Sequence, residues 1–557
     1  MKKFTYIFVL VILICFATLI TSCGSNGTHF DWGKVSSAPD SSTAEQAPDG
    51  TGQSPESTDT AIIQNGLYFK VLSDGSYGVR ASANLSTTVV DIPAKINGKS
   101  VTAILSNGFK GLDIVSVTIP DTVKEIRDSA FENCASLTSV SFGGELTGIK
   151  SSAFKNCTSL LSLTLPASLE EIDDYAFANC TGLYELTLEI TDASVFGFMV
   201  FSGCESIRTL TVYAPKMIES LDLQRNLEYV TFSGGDTIPS YLFEDSATLK
   251  AVNIGEGIKT IKSGAFKNCS ALTEVNVPSS LKTVEAWAFS ECSALTAFNL
   301  NCVEEIGDYA FASCSSIKEI TIPDSVKSLG SGAFQGCSSA SKLSIGSGVT
   351  AIRDRAFSSC TKLTEAAIPD SVTTIGSHAF VCCTSLKSVV IGNGVTEIES
   401  IFPFSECTAL RNVTVADAVI MADLTDTPES IENVTITGGK SIPNFTFWEF
   451  ENLKSITLPS TLRTIGDSAF YDCKKLTSIV VPNGVTSIGQ SAFGNCSALK
   501  NITLPSSIKQ LGYNMVFGCY ALRDIYFDGT ADDWRSVWKF DEINNCTIHC
   551  NGGNIKN

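Results

Sequence analysis

Residues 464–482 read "TIGDSAFYDCKKLTSIVVP", and residues 483–505 continue "NGVTSIGQSAFGNCSALKNITLP". An Ala-Phe pair followed by Cys three residues later returns after 23 residues. The Phe of this motif, or its nearest equivalent, falls at 109, 131, 154, 177, 201, 243, 266, 289, 311, 334, 357, 380, 404, 447, 470 and 493, with Val516 in the last unit. Steps are 22 to 24 residues except for 201 to 243 and 404 to 447, which are nearly double, so each predicts one degenerate unit and a total of about nineteen. The two irregular stretches resemble each other: "NLEYVTFSGGDTIPSYLFEDSATL" recurs 204 residues later as "SIENVTITGGKSIPNFTFWEFENL", the mark of an internal duplication.

Within one unit, Leu476, Ile479, Val481, Val485 and Ile488 follow the short alternation of strands, not the 3.6-residue period of a helix. Pro482 has no amide to extend a ladder, and Gly489 suits a turn. Each unit is expected to hold two very short strands and a compact turn or single helical turn around "SAFGNC". So small a unit has no interior, and its apolar edge is covered only when the next unit stacks on it. Fixed offsets then mean ladders. Phe131, Phe154, Phe177, Phe266, Phe289, Phe311, Phe334, Phe357, Phe380, Phe470 and Phe493 should lie one above another. A parallel column should run through Cys134, Cys157, Cys180, Cys204, Cys269, Cys292, Cys314, Cys337, Cys360, Cys383, Cys407, Cys473, Cys496 and Cys519.

The consensus "LTSIxIPxSVTxIGxxAFxxC" resembles the BspA-type leucine-rich repeat of bacterial surface proteins, over residues 101–525. The resemblance implies a β-dominated leucine-rich-repeat solenoid of short parallel strands. It also implies a hairpin cap over residues 61–100 ("NGLYFKVLSDGSYGVRASANL") and a closing unit over 526–557 ("FDGTADDWRSVWKFDEINNCTIHCNGG"). Members of the family are associated with adhesion to host matrix proteins, other bacteria or surfaces, so a non-enzymatic surface protein is the expected function. A passive spacer of the envelope, with no specific ligand, is the alternative.

The N-terminal "MKKFTYIFVLVILICFATLITSC" has a basic start and an unbroken apolar run, the layout of an export signal over residues 1–22. Its "LITSC" ending resembles a lipobox, which implies lipid attachment at Cys23; an ordinary signal or signal anchor with Cys23 a bystander is the other reading. Residues 23–60, rich in Ser, Thr, Pro, Gly and Asp, bury too little apolar surface to fold and are expected to be a tether. The membrane would then be met through the N-terminal lipid only, with the repeats exposed on the cell envelope. A formal charge of −19 argues against nucleic acid. The expected partners are an extracellular protein, a glycan or a neighbouring cell.

So many cysteines in an exported chain suggest disulfides, but in-register side chains point the same way instead of at each other. Leu112, Ser246 and Phe450 replace Cys in three units, which suits a packing site, so buried free thiols are expected. In "CTIHC", Cys546 and Cys550 could pair, hold a metal with His549, or pack unpaired; the last is preferred, and neither metal nor cofactor is expected. No nucleophile elbow, P-loop or dinucleotide fingerprint appears in the sequence.

Recognition is the better prospect. The residue two before Phe is Ser in many units but Tyr175, Trp287, Tyr309, Arg355 and His378 in others, and Trp287 and Tyr309 fall in consecutive units. They form either an exposed aromatic pair on a binding ridge or a shield over the turn. The degenerate units, near 211–236 and 414–440, are places for a cleft or a kink, or mere drift.

Overall fold

The computed structural model describes residues 61–399, 402–424, 426, 430–538 and 546–556. The expected export signal, Cys23 and the tether lie outside them, as does part of the closing unit.

The repeats form a β-solenoid of about 20 stacked turns. Each regular coil carries a longer and a shorter strand, such as Ser478–Val480 and Ser487–Ile488, which pair in parallel with Asn501–Leu504 and Gln510–Leu511 of the next coil. The 23-residue step sets this register: Ile479 lies beside Ile502, and Ile488 beside Leu511. Side chains alternate across the sheet, so Ile479 and Val481 are buried while Val480 between them is exposed.

The "SAFGNC" segment is a hydrogen-bonded turn, not a helix. Two of its residues adopt left-handed backbone, for example Ser129 (φ 53°) and Asn133 (φ 63°). That geometry turns alternate amides toward the next coil. Ser129, Phe131 and Asn133 donate to the carbonyls of Ser151, Ala153 and Lys155 at 3.0, 2.7 and 2.8 Å. Gly and Asn recur at these two places because a Cβ in the left-handed region costs roughly 1–2 kcal/mol, a penalty glycine escapes and Asn offsets by local hydrogen bonding; Ser, which recurs there too, carries it.

Stacked turns bring the phenylalanines into a column. Ring centroids are 5.0 Å apart for Phe109 and Phe131, 5.0 Å for Phe131 and Phe154, 5.2 Å for Phe154 and Phe177, and 5.1 Å for Phe266 and Phe289. Phe289, Phe311, Phe334, Phe357 and Phe380 continue it, and Phe447, Phe470 and Phe493 form a further stretch. These separations track the ~4.8 Å between paired strands, so the rings lie face over face, offset, within the range that favours aromatic pairs.

The cysteine column does more than pack. All fourteen thiols are free and donate to the carbonyl of the phenylalanine one coil back, as in Cys134 to Phe109 (3.0 Å), Cys157 to Phe131 (3.2 Å), Cys292 to Phe266 (3.1 Å) and Cys496 to Phe470 (3.1 Å). Each such carbonyl also accepts the amide three residues on in its own coil, that of a Cys in most coils and of Leu112, Ser246 or Phe450 in three; the Phe131 carbonyl takes Cys134 N–H at 3.2 Å. Leu112, Ser246 and Phe450 stand where no phenylalanine turn precedes them: the first coil and the coils after the two irregular stretches. The position is therefore a weak-donor site, and Cys occupies it wherever a carbonyl waits below.

Both irregular stretches are single coils. The longer strands run through them without a break: Glu185–Leu188, Thr209–Val212, Tyr229–Phe232 and Ala251–Ile254 align residue for residue, as do Asn412–Val415 and Asn433–Ile436. The shorter-strand sheets stop. Glu171–Ile172 is followed only by a bridge between Ile172 and Phe196, and pairing resumes at Thr237–Ile238. The second break lies between Glu397–Ile398 and Ser441–Ile442. In place of a phenylalanine turn the first coil has a helical turn, Met217–Ser220, and the second a 3-10 segment, Ala418–Asp423. The duplication shows in the ion pairs beside them: Arg208, Glu228 and Lys250 (3.8 and 2.7 Å) match Arg411, Glu432 and Lys454 (3.7 and 2.6 Å).

At the start, Ile62–Gln64, Leu67–Val71 and Tyr77–Ala81 pair antiparallel, and the last of these pairs in parallel with Lys99–Ile104. At the end, Asp524–Thr530 leads into a helix, Ala531–Val537, with a capping box between Thr530 and Asp533. Thr547–Asn551 then joins the sheet and Gly553–Lys556 pairs antiparallel to it.

Candidate binding surfaces

The ridge residues share one backbone state. Tyr175, Trp287, Tyr309, Arg355 and His378 all have left-handed φ, between 54° and 58°. The same position holds Met199, Tyr241 and Phe445, also left-handed and about half exposed. These three were readable at the same offset from Phe201, Phe243 and Phe447 but escape a search confined to the regular coils.

The structure brings some of them together. The rings of Trp287 and Tyr309 stack 6.3 Å apart at 6°. Tyr309 lies across Gly332 of the following coil, where a Cβ would meet its ring at 2.3 Å, and Tyr241 lies across Gly264 in the same manner, at 2.4 Å. Glycine at those places leaves room for the ring above. Arg355 and His378 occupy the next two coils; burial, and then the nearby Arg355, lowers the His378 pKa. Tyr175 stands apart, across the first irregular coil. It packs edge-on against Phe198 at 5.9 Å, with Lys155 Nζ 5.7 Å from its ring centroid.

A second surface lies at the C-terminal end of the longer strands. His549 stacks on Tyr526 at 4.7 Å, and its Nε2 is 2.7 Å from Asp524 Oδ1. Tyr526 and His549, with Val480, Asn483 and Thr503, line a groove of about 480 Å³. Cys546 is buried and Cys550 half-buried beside the groove, and both are free. Among the described residues no group of three or more His, Cys, Asp or Glu converges.

Burial makes several ladder thiols poor nucleophiles, raising the pKa of Cys134 to about 11 and those of Cys314 and Cys360 to about 12. The first irregular coil opens a cleft of about 610 Å³ between the turn of residues 197–205 and the segment 220–226. Exposed Phe198 and Met199 form its lip.

Among solved structures, a leucine-rich repeat protein from Bacteroides ovatus is 21% identical, with 88% of this chain and 99% of that chain covered and a TM-score of 0.25. One from Bacteroides capillosus is 32% identical over 23% of this chain and 99% of that chain, with a TM-score of 0.22. A leucine rich cell surface protein from Faecalibacterium prausnitzii is 20% identical, covering 87% and 100%, with a TM-score of 0.19. No curated protein matches. The family described as BspA type Leucine rich repeat region (6 copies) matches residues 102–224, 236–338, 304–423 and 426–539. With nearly every coil inside those matches, the chain belongs to the BspA-type leucine-rich repeat family.

Proposed function

We propose that this protein is a non-enzymatic binding scaffold of the bacterial cell surface, held to the membrane by lipid on Cys23. In this reading it attaches to an extracellular protein, a glycan or a neighbouring cell through the turn ridge centred on Trp287 and Tyr309. The observation that carries the reading is the cost of those side chains. A left-handed residue other than glycine is disfavoured by roughly 1–2 kcal/mol, yet Trp, Tyr, Arg and His occupy sites that Ser, Asn or Gly fill elsewhere. Trp287 remains 43% exposed, so the core gains little from it. Side chains kept against a backbone penalty, and turned outward, suit recognition. The strands of residues 61–100 and the unit of 526–557 would close the two open ends of the core.

The family and the surface relative from Faecalibacterium prausnitzii support a surface role. The test is binding of purified residues 61–557 to matrix proteins, glycans and whole cells, with a Trp287→Gly/Tyr309→Gly variant alongside. Attachment should fall at least tenfold while the melting temperature holds or rises, since glycine relieves both backbone sites. Undiminished attachment by that variant, or none by the parent to any target, defeats the proposal.

A further inference from the structure

Where one phenylalanine turn follows another, the lower turn passes its alternate amides to the next coil. Tyr175, Phe177 and Asn179 donate to the carbonyls of Phe198, Val200 and Ser202 at 3.0, 3.0 and 2.7 Å. The next row of that ladder, the N–H groups of Met199, Phe201 and Gly203, finds no acceptor among the described residues. The coil above is the first irregular one and has no phenylalanine turn to offer them. Beyond it, the carbonyls of Ser240, Leu242 and Glu244, which would receive such a row, likewise accept no backbone hydrogen bond.

The unfilled donors border the 610 Å³ cleft. Phe201 and Cys204, at the base of their turn, are each 7% exposed, whereas Phe177 and Cys180 one coil earlier are at 0%. Donors aligned at every second residue ask for a chain with carbonyls at i, i+2 and i+4, as in strand addition to a sheet edge. Amides bordering such a cleft are left to water until a partner supplies carbonyls. The lip adds Phe198 and Met199, 58% and 50% exposed, for an apolar side chain. Charge completes the description: Asp222 is paired with Arg225 at 3.5 Å, while the Glu205 carboxylate has no ion pair among the described residues. An anion would be repelled there, and a basic residue attracted.

We infer that this gap is a docking site, separate from the aromatic ridge, for a peptide segment of a partner protein bearing a basic residue next to an apolar one. The peptide continues the coil-to-coil interface by standing in for the turn that the irregular coil lacks.

The probe is a synthetic peptide copying residues 262–270, "KSGAFKNCS", with Cys269→Ser, added at millimolar concentration to the purified full-length protein. Amide hydrogen exchange is followed by NMR or fragment mass spectrometry. In the free protein the amides of Met199, Phe201 and Gly203 should exchange about 100-fold faster than those of Tyr175, Phe177 and Asn179. The peptide should slow them about tenfold. Glu205→Lys, a change at an exposed position, should weaken that protection severalfold while leaving the melting temperature in place. Equal protection of both rows in the free protein overturns the inference, since the chain would then fill its own gap. Failure of the peptide to slow any of the three does the same, and slowing by inorganic phosphate but not by peptide reassigns the donors to an anion.

Discussion

At the first irregular coil the amide of Phe201 has no acceptor in the described chain, whereas at the second its duplicate, Phe404, donates to the Leu424 carbonyl at 3.3 Å. Next to Phe404, the Ser405 hydroxyl donates to Asp426 Oδ2 at 2.7 Å, a contact that Ser202 lacks. Phe404 and Cys407 are at 0% exposure where Phe201 and Cys204 are at 7%. The second break thus fills its central ladder amide from its own chain, and the first does not. The local cause is readable. Asp417 accepts the Val419 amide at 3.1 Å and starts a six-residue 3-10 segment that delivers Leu424 to the ladder. The four-residue helical turn at Met217 begins after Lys216, without a side-chain cap. A capping carboxylate is thus present at the joint whose central amide is filled and absent at the other.

The sharpest way to test the contrast is to empty each joint. Phe404→Ala should cost about 4 kcal/mol, within the range for a fully buried ring stacked 4.9 Å from Phe380. Phe201→Ala should cost about 1 kcal/mol less, because its ring lies 5.7 Å from Phe177 and already borders the cleft. Denaturant unfolding of both variants measures the difference, and equal losses would mean that the joints are packed alike.

Next in size is thiol reactivity. Iodoacetamide on the native protein, followed by peptide mapping, should modify Cys204 about tenfold faster than Cys407, while Cys157 and Cys337 stay unmodified until the chain unfolds. A third prediction breaks the comparison deliberately. Asp417→Ala should cost about 1 kcal/mol through the lost cap and raise amide exchange at Phe404 toward the rate at Phe201.

The smallest effect is in pH. His378 overlooks the second joint, and its pKa is lowered first by burial, then by Arg355, against an opposing pull from Asp354 and Asp426. A base whose folded pKa lies below its unfolded value, near 6.5, contributes stability that is present above that value. That contribution is lost as pH falls through the folded pKa. The melting temperature should therefore dip slightly below pH 6.5, and His378→Gln should flatten the dip without altering the first joint.

Much of the architecture could be read from residue offsets alone, because one physical demand repeats in every coil: Phe, Ala and Cys must sit above their copies. The places for the two breaks were visible as doubled spacings. Their contrast was not, since it depends on which backbone amides lack acceptors, and that follows from the path of a few residues after Lys216 and Asp417. The cysteine position shows the limit most clearly. Leu112, Ser246 and Phe450 look like free exchange at a greasy site until the phenylalanine carbonyl one coil back is seen; then each exception falls where that carbonyl is missing. The ridge was half legible. Trp287 and Tyr309 stood out by type, but their shared left-handed backbone needs coordinates.

That backbone state has a consequence for how such a surface changes over time. Because the turn is held by its alternating amides and by the phenylalanine beneath, the residue two before Phe behaves as a socket whose occupant has little say in folding. Exchanging the tryptophan of one coil for the arginine of another should rewrite what the flank recognises, coil by coil, while the stack beneath keeps its register.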